Sequence, residues 1–157
     1  MNSIEIIMNN PGKTENHRKY IEDFITEVLS SLEIDNWQMG VLFTDNSGIL
    51  EYNKKWRNID APTDVISFAL NDGPEIPLPP DEPVEAGDII ISTEKVFQNA
   101  SENNISCTEE LLRVIIHGIL HLYGLDHPGD DYSDGMLKLQ EELLSKCGGG
   151  YTSIELC

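Results

Sequence analysis

The feature that most constrains the fold is a helical segment that is too apolar to lie on a surface. The sequence predicts a helix that begins near Thr108-Glu109-Glu110 and ends near Gly124, a residue suited to a helix C-terminus. A helix that is apolar around most of its circumference must be covered by other elements. We therefore expect it to lie at the centre of the domain. Its apolar residues are Leu111, Leu112, Val114, Ile115, Ile116, Ile119, Leu120 and Leu122.

Strands and helices interleave along the rest of the chain. Alternating or short apolar runs predict strands over residues 3–8, 37–43, 64–70 and 88–92, the last of them buried on both faces. Apolar residues at helical spacing predict helices over residues 15–32, 93–103 and 133–147, and another through residues 49–56 with candidate cap residues at 44–47. Residues 71–87 are rich in proline and acid and are predicted to form a surface loop. The pattern predicts an α/β or α+β fold, with a small mixed sheet of about four strands flanked by helices.

Length and composition limit the organisation of the chain. Its 157 residues suffice for one domain, which we expect over residues 1–147, followed by a short Gly-rich segment over 148–157. No apolar run is long enough to cross a bilayer, and the N-terminus lacks the features of a signal peptide, so we expect a cytoplasmic protein. The three cysteines form no C-x-x-C pair and are expected to be free thiols, with Cys147 and Cys157 able to cross-link in air.

Three of the four histidines lie in the segment HGILHLYGLDH, residues 117–127. His117 and His121 are four residues apart on the predicted helix, which places their rings on one face. Gly124 then allows the chain to turn before His127. Three imidazole ligands and an open fourth position are typical of a catalytic zinc site. The spacing therefore predicts one bound Zn²⁺ ion at the end of the central helix, although nickel, copper and cobalt also suit three histidines.

The spacing of these residues also matches the metzincin signature, with one difference. Where that signature carries a glutamate base after the first histidine, this chain has Gly118. Asp126 has three interpretations at this stage: a fourth ligand, a hydrogen-bond acceptor for a ligand histidine, or a loop carboxylate. We expect a glutamate placed at position 118 to lie close to the metal and to repel a phosphate group.

Three segments together resemble one protein family. HGILHLYGLDH resembles the H-G-x-L-H-L-x-G-x-D-H signature of the YbeY family of bacterial ribosomal RNA maturation endoribonucleases. Residues 52–70, YNKKWRNIDAPTDVISFAL, resemble its N-x-x-[YFW]-R-x-x-D-x-P-T-[DN]-V-L-S-F-P block, and residues 86–92, AGDIIIS, are similar to its G-D-I-x-I strand. Ala69 replaces a common proline and Leu125 a common tyrosine, and neither is a ligand.

The resemblance implies a zinc-dependent, single-strand-specific endoribonuclease that acts in 16S rRNA maturation and ribosome quality control. Its metal ligands correspond to His117, His121 and His127, and its functionally important arginine corresponds to Arg57. The implied partners are ribosomal RNA and the small ribosomal subunit with its proteins, and no membrane. Two alternatives stay open: a metallopeptidase-like zinc hydrolase, and a non-catalytic ribosome-associated factor whose zinc is structural.

Arg57 also has a chemical rationale as a catalytic residue. A guanidinium group donates in a fixed fork that matches phosphate oxygens, although a surface salt bridge is the simpler role for an arginine in an acidic chain. Lys54 and Lys55 extend the basic stretch, and with Asp64 and Ser67 they are candidate substrate-binding residues. The net charge of −18 repels RNA at long range, so we expect weak, salt-sensitive binding through a local basic patch.

Overall fold

The computed structural model of the protein describes residues 1–70, 82–125, 135–151 and 153–157. Its strands are β1 (Ser3–Met8), β2 (Trp37–Thr44), β3 (Val65–Ala69) and β4 (Val84–Ser92). Its α-helices are α1 (Arg18–Ser31), α2 (Asn46–Arg57), α3 (Thr93–Glu102), α4 (Cys107–Leu122) and α5 (Gly135–Cys147). Two short 3-10 helices, Gly12–His17 and Gly148–Gly150, precede α1 and follow α5. Among the described helices, none is long and apolar enough to span a membrane.

The four strands form one mixed sheet in the order β1-β2-β4-β3. Strands β1, β2 and β4 run parallel, whereas β3 pairs antiparallel with β4 at one edge. Ile89 and Ile91 of β4 join the main core, and Ile90 joins a smaller cluster on the opposite face. The predicted α+β fold with a four-stranded mixed sheet is therefore confirmed, as is the burial of this strand on both faces.

The predicted central helix is α4. It packs against α3, α5, β3 and β4. It begins at Cys107 because the side chain of Ser106 caps it, accepting a hydrogen bond from the Glu109 backbone N–H at 3.1 Å. It ends just before Gly124, whose positive φ of 97° suits the turn that follows. Its fully buried residues are Leu111, Leu112, Ile115, Ile116, Ile119 and Leu120.

Two predicted element boundaries are wrong. The chain over residues 15–17 belongs to a 3-10 helix, so α1 begins at Arg18 rather than at residue 15. Strand β4 begins at Val84 rather than at Asp88, because Val84 and Glu85 pair with Trp37 and Gln38 beyond a register shift in β2. Part of the predicted loop is therefore strand, and residues 71–81 of that loop lie outside the described residues.

The expectation of three free thiols is also wrong. Cys107 and Cys157 form a disulfide across 50 residues, with their Cα atoms 5.9 Å apart, and Cys147 is a buried free cysteine. The pairing arises because the chain after Cys147 returns to the start of α4. Leu156 is fully buried, and its N–H donates to Thr108 Oγ1 at 2.9 Å. The segment that we separated from the domain by composition thus packs against it.

We expect this disulfide to contribute about 2–4 kcal/mol to the free energy of unfolding, because cross-linking the chain restricts the unfolded ensemble. Urea denaturation with and without a reductant measures the contribution. Denaturation of the Cys107→Ser/Cys157→Ser double variant serves as the control, since its midpoint is expected to be low and insensitive to reductant. An unchanged midpoint of the original protein after full reduction would contradict the prediction.

Candidate metal centre and cleft

A cleft of about 680 Å³ opens beside the end of α4. Strand β3, the end of α2 and the last turns of α4 supply its walls, so segments far apart in the sequence meet there. The residues that line it are Arg57, Thr63, Asp64, Val65, Ile66, Ser67, Ala69, His117, His121, Gly124 and Leu125.

His117 and His121 present their ring nitrogens to each other in this cleft. Their Nε2 atoms are 3.1 Å apart, and the rings meet edge to face with centroids 4.7 Å apart. Two nitrogens that bind one tetrahedral zinc ion at about 2.0–2.1 Å are about 3.3 Å from each other. The arrangement of the two imidazoles therefore fits a shared metal ion with little movement of either ring.

The predicted third ligand, His127, lies outside the described residues, and so does Asp126. Within residues 1–70, 82–125, 135–151 and 153–157, no group of three or more His, Cys, Asp or Glu side chains is placed to hold a metal ion. The described part of the chain thus contributes two of the three predicted ligands. His127 as the third ligand stays a prediction.

Arg57 reaches the same cleft from α2. It is the last residue of this helix, which Asn58 ends in the left-handed conformation with φ at 57°. The loop that follows is held by the buried Asn53, whose side chain donates to the Ala61 carbonyl at 2.8 Å. The loop returns the chain toward β3, so that Arg57, Asp64 and Ser67 line one cleft with the two histidines.

The structure does not bring the other two basic candidates to the cleft. Lys54 and Lys55 are exposed on α2, and neither is among the residues that line it. The ammonium group of Lys55 instead lies 5.1 Å from the centroid of the Trp56 ring. Of the basic stretch at the end of α2, Arg57 is the residue placed to meet a substrate beside the histidines.

Gly118 does not face the cleft. A Cβ atom at this position would lie 2.8 Å from Cγ2 and 2.9 Å from Cδ1 of Ile89, which is fully buried in β4. The glycine therefore allows α4 to approach the sheet closely. The expectation that a glutamate at position 118 would lie near the metal is not supported, because the side chain would start inside the core.

A partly buried polar network supports His117 from the other side. Nδ1 of His117 lies 2.7 Å from Oε1 of Gln140, and Nε2 of Gln140 donates to Glu141 at 3.1 Å. Arg113 binds the same carboxylate through Nε at 3.0 Å and Nη2 at 3.1 Å. The sequence analysis missed these residues. A signal was present, because Gln140 lies at helical spacing among the apolar Met136, Leu137 and Leu143.

The charges of this network stabilise one another. Burial acts to raise the pKa of Glu141, but the hydrogen bonds from Arg113 and Gln140 and the charge of Arg113 hold that pKa below its ordinary value. Burial acts to lower the pKa of Arg113, and the acidic groups around it outweigh burial and raise it. Burial raises the pKa of Glu110, with Asp64 adding to the effect and Arg113 opposing it. Glu141 is thus an ionised acceptor at neutral pH.

Comparison with known proteins identifies the family of the chain. Residues 5–148 match the family model described as Endoribonuclease YbeY. The chain belongs to the YbeY family. It is 45% identical over 149 residues to a protein named Endoribonuclease YbeY from Treponema denticola, with 91% of this chain and 92% of that protein covered. A protein of the same name from Borreliella burgdorferi is 40% identical over 137 residues, covering 83% of this chain and 86% of that protein.

A solved structure agrees with the fold described above. The solution structure of a Thermotoga maritima protein superimposes with a TM-score of 0.65 at 30% sequence identity. The match covers 94% of this chain and 92% of that one. The family match also includes the cleft, since Arg57, His117 and His121 all lie within residues 5–148.

Proposed function

We propose that this chain is a zinc-dependent, single-strand-specific endoribonuclease that acts in 16S rRNA maturation and ribosome quality control. The observation that carries the proposal is that Arg57 lines the same cleft as the facing nitrogens of His117 and His121. The family supports the chemistry, because its model and the relatives cited above bear the name endoribonuclease.

Histidines would hold the metal in this proposal. His117 and His121 would bind it through Nε2, and His127 would complete the set of ligands. A zinc ion held there would supply a Lewis acid for phosphate oxygens and lower the pKa of a water molecule toward neutrality. Among the described residues no carboxylate follows His117 on the helix, since Gly118 occupies that position and packs on Ile89. That absence disfavours a peptidase of the metzincin kind.

Arg57 would bind a phosphate group of the RNA substrate. Its exposed guanidinium group can donate two parallel hydrogen bonds to nonbridging oxygens, where negative charge develops during cleavage. Thr63 lies along the same wall, and its hydroxyl group can donate to a neighbouring phosphate or to a ribose, whereas the hydroxyl oxygen of Ser67 is buried. Asp64 in that wall disfavours close approach of a second phosphate.

The charge of the chain indicates how RNA would reach the site. With a net charge of −18, most of the surface repels a polyanion, so favourable contacts beside the cleft depend on the region around Arg57. Affinity for free RNA is then expected to be low and to fall with salt. The small ribosomal subunit and its proteins would supply the remaining affinity, and their basic surfaces suit an acidic partner.

The proposal is tested by assaying one zinc-loaded preparation against single-stranded RNA, double-stranded RNA and casein. We expect cleavage of single-stranded RNA that disappears after chelation and returns with added zinc. His121→Ala is the control for a contaminating nuclease. Casein cleavage would instead indicate a peptidase, and the absence of both activities would indicate a non-catalytic factor.

The ribosomal part of the proposal needs its own substrate. A precursor of 16S rRNA, free or assembled in small subunits, is compared with an unrelated single-stranded RNA of the same length. We expect faster cleavage of the precursor when it is assembled, since the chain alone has little affinity for RNA. Equal rates on all three substrates would contradict a role in maturation of this RNA.

A further inference from the structure

The hydrogen bonds that join His117 to Gln140 and Gln140 to Glu141 can be donated in one direction only. Gln140 is 3% exposed and contacts both His117 and Glu141 through its side-chain amide. Glu141 is an ionised carboxylate, which can accept hydrogen bonds but not donate them. The amide nitrogen of Gln140 must therefore face Glu141, and its carbonyl oxygen must face His117. The chemistry of the partners thus fixes the orientation of this amide.

The orientation of Gln140 determines the tautomer of His117. A carbonyl oxygen accepts a hydrogen bond, so the Nδ1 atom that lies 2.7 Å away must carry the proton. In a neutral imidazole only one nitrogen is protonated. Nε2 of His117 is then left with its lone pair, and it is this atom that lies 3.1 Å from Nε2 of His121.

We infer that Gln140 is a positioning residue that fixes His117 as the Nδ1–H tautomer and aims the Nε2 lone pair at the metal. Glu141 holds the amide of Gln140 in place, and Arg113 holds Glu141 through hydrogen bonds from both Nε and Nη2. A histidine ligand commonly donates its second N–H directly to a carboxylate or a carbonyl. Here the acceptor is the side-chain amide of Gln140, and the carboxylate of Glu141 lies one group farther away, paired with Arg113, which also lies 3.6 Å from Glu109 and from Glu110. The part played by the metal in this inference rests on the proposed function, whereas the tautomer does not.

The network also explains why a polar residue is tolerated inside the interface between α4 and α5. A buried amide without partners would be destabilising, but both ends of this one are bonded. Arg113 and Glu141 link the two helices with an ion pair whose side chains are 19% and 36% exposed. The ring of His117 is therefore held by groups on α5 and by a second residue of its own helix.

The experiment compares Gln140→Met with Gln140→Glu. Methionine matches the length of glutamine but accepts no strong hydrogen bond, whereas glutamate keeps an acceptor for Nδ1–H. Histidine ¹⁵N spectra of the zinc-free proteins, at a pH where the imidazoles are neutral, report the tautomer. We expect Nδ1–H in the original chain and in Gln140→Glu, and a mixture in Gln140→Met. Competition with a chromogenic chelator should show zinc binding weakened about 10–100-fold in Gln140→Met and largely restored in Gln140→Glu.

A second, matched pair tests the outer part of the network. Glu141→Gln weakens the hold on Gln140, whereas Glu142→Gln makes the same chemical change at an exposed neighbour on α5. We expect Glu141→Gln to lose less zinc affinity than Gln140→Met, and Glu142→Gln to lose none. Equal zinc affinities in these two variants would remove Glu141 from the network.

The outcomes separate this inference from the proposed function. An Nε2–H tautomer of His117 in the original chain overturns the inference, and that spectrum needs no variant to fold. An unchanged tautomer together with unchanged zinc affinity in folded Gln140→Met also overturns it and leaves a zinc enzyme intact. If the original chain binds no zinc, the proposed function fails, while the spectra of the metal-free proteins still decide the tautomer.

Discussion

Replacing Gly118 by glutamate is expected to prevent stable folding rather than to change the chemistry of the cleft. The first side-chain atom would already lie within 3 Å of Ile89, and the carboxylate would continue into the core between α4 and β4. Overpacking of this kind costs about 1–3 kcal/mol, and a buried charge without a partner costs several kcal/mol more. Since domains are stable by only about 5–15 kcal/mol, we expect a large loss of folded protein.

Gly118→Ala separates the steric effect from the charge. Its methyl group meets the same side chain of Ile89 at an overpacking cost of about 1–3 kcal/mol, but alanine favours the helix over glycine by about 1 kcal/mol, so the net cost should be about 0–2 kcal/mol. Urea denaturation of both variants, followed by circular dichroism, measures the difference in their free energies of unfolding. If Gly118→Glu left the free energy of unfolding unchanged, position 118 would not face the sheet.

The behaviour of Gly118 illustrates what local sequence patterns can and cannot predict. The histidine spacing and the apolar run of α4 are local features, and both the helix and the placement of His117 and His121 on one face follow from its period. Comparison with the metzincin signature suggested that position 118 should face the metal. The distance from Gly118 to Ile89 depends instead on how α4 docks onto β4, and no local pattern contains that information.

The other differences between prediction and structure have the same origin. The start of β4 depends on pairing with β2 across a register shift, so composition alone placed Val84 in a loop. The disulfide depends on the return of Cys157 to the start of α4, which spacing between cysteines does not reveal. Arg57 was proposed from a resemblance, since its own neighbours in the sequence are equally compatible with a surface ion pair.

The sequence pattern alone was enough, in principle, to indicate that Gln140 is buried and needs hydrogen-bond partners. It lies on the apolar face of α5, where a polar residue needs partners to be buried. Recognising the partner required knowing that this face packs against α4 beside His117, which again is a tertiary contact. Spacing along the helix is thus enough to propose His117 and His121 as ligands, whereas the contact of Gln140 with His117 depends on how the two helices dock.

Replacing Arg57 by alanine is expected to reduce RNA cleavage by about 10²–10³-fold, the effect typical of losing one donor to developing negative charge. Zinc content should stay unchanged, because Arg57 lies on α2 while the proposed ligands His117 and His121 lie on α4. Stability should also change little, since the residue is exposed. Single-turnover cleavage of a short single-stranded RNA, with zinc measured in the same preparation, gives both quantities.

The neighbouring lysines provide matched controls for Arg57. Lys54→Ala and Lys55→Ala remove the same charge from the same exposed stretch, but neither residue lines the cleft. They should lower the rate only slightly, through weaker long-range attraction that disappears as salt is raised. Arg57→Lys should fall between, because an ammonium group keeps the charge without the planar fork of donors. Equal losses of cleavage rate in all three alanine variants would show that Arg57 acts only as one member of a diffuse basic patch. Full activity of Arg57→Ala with zinc bound would show that Arg57 has no part in the reaction.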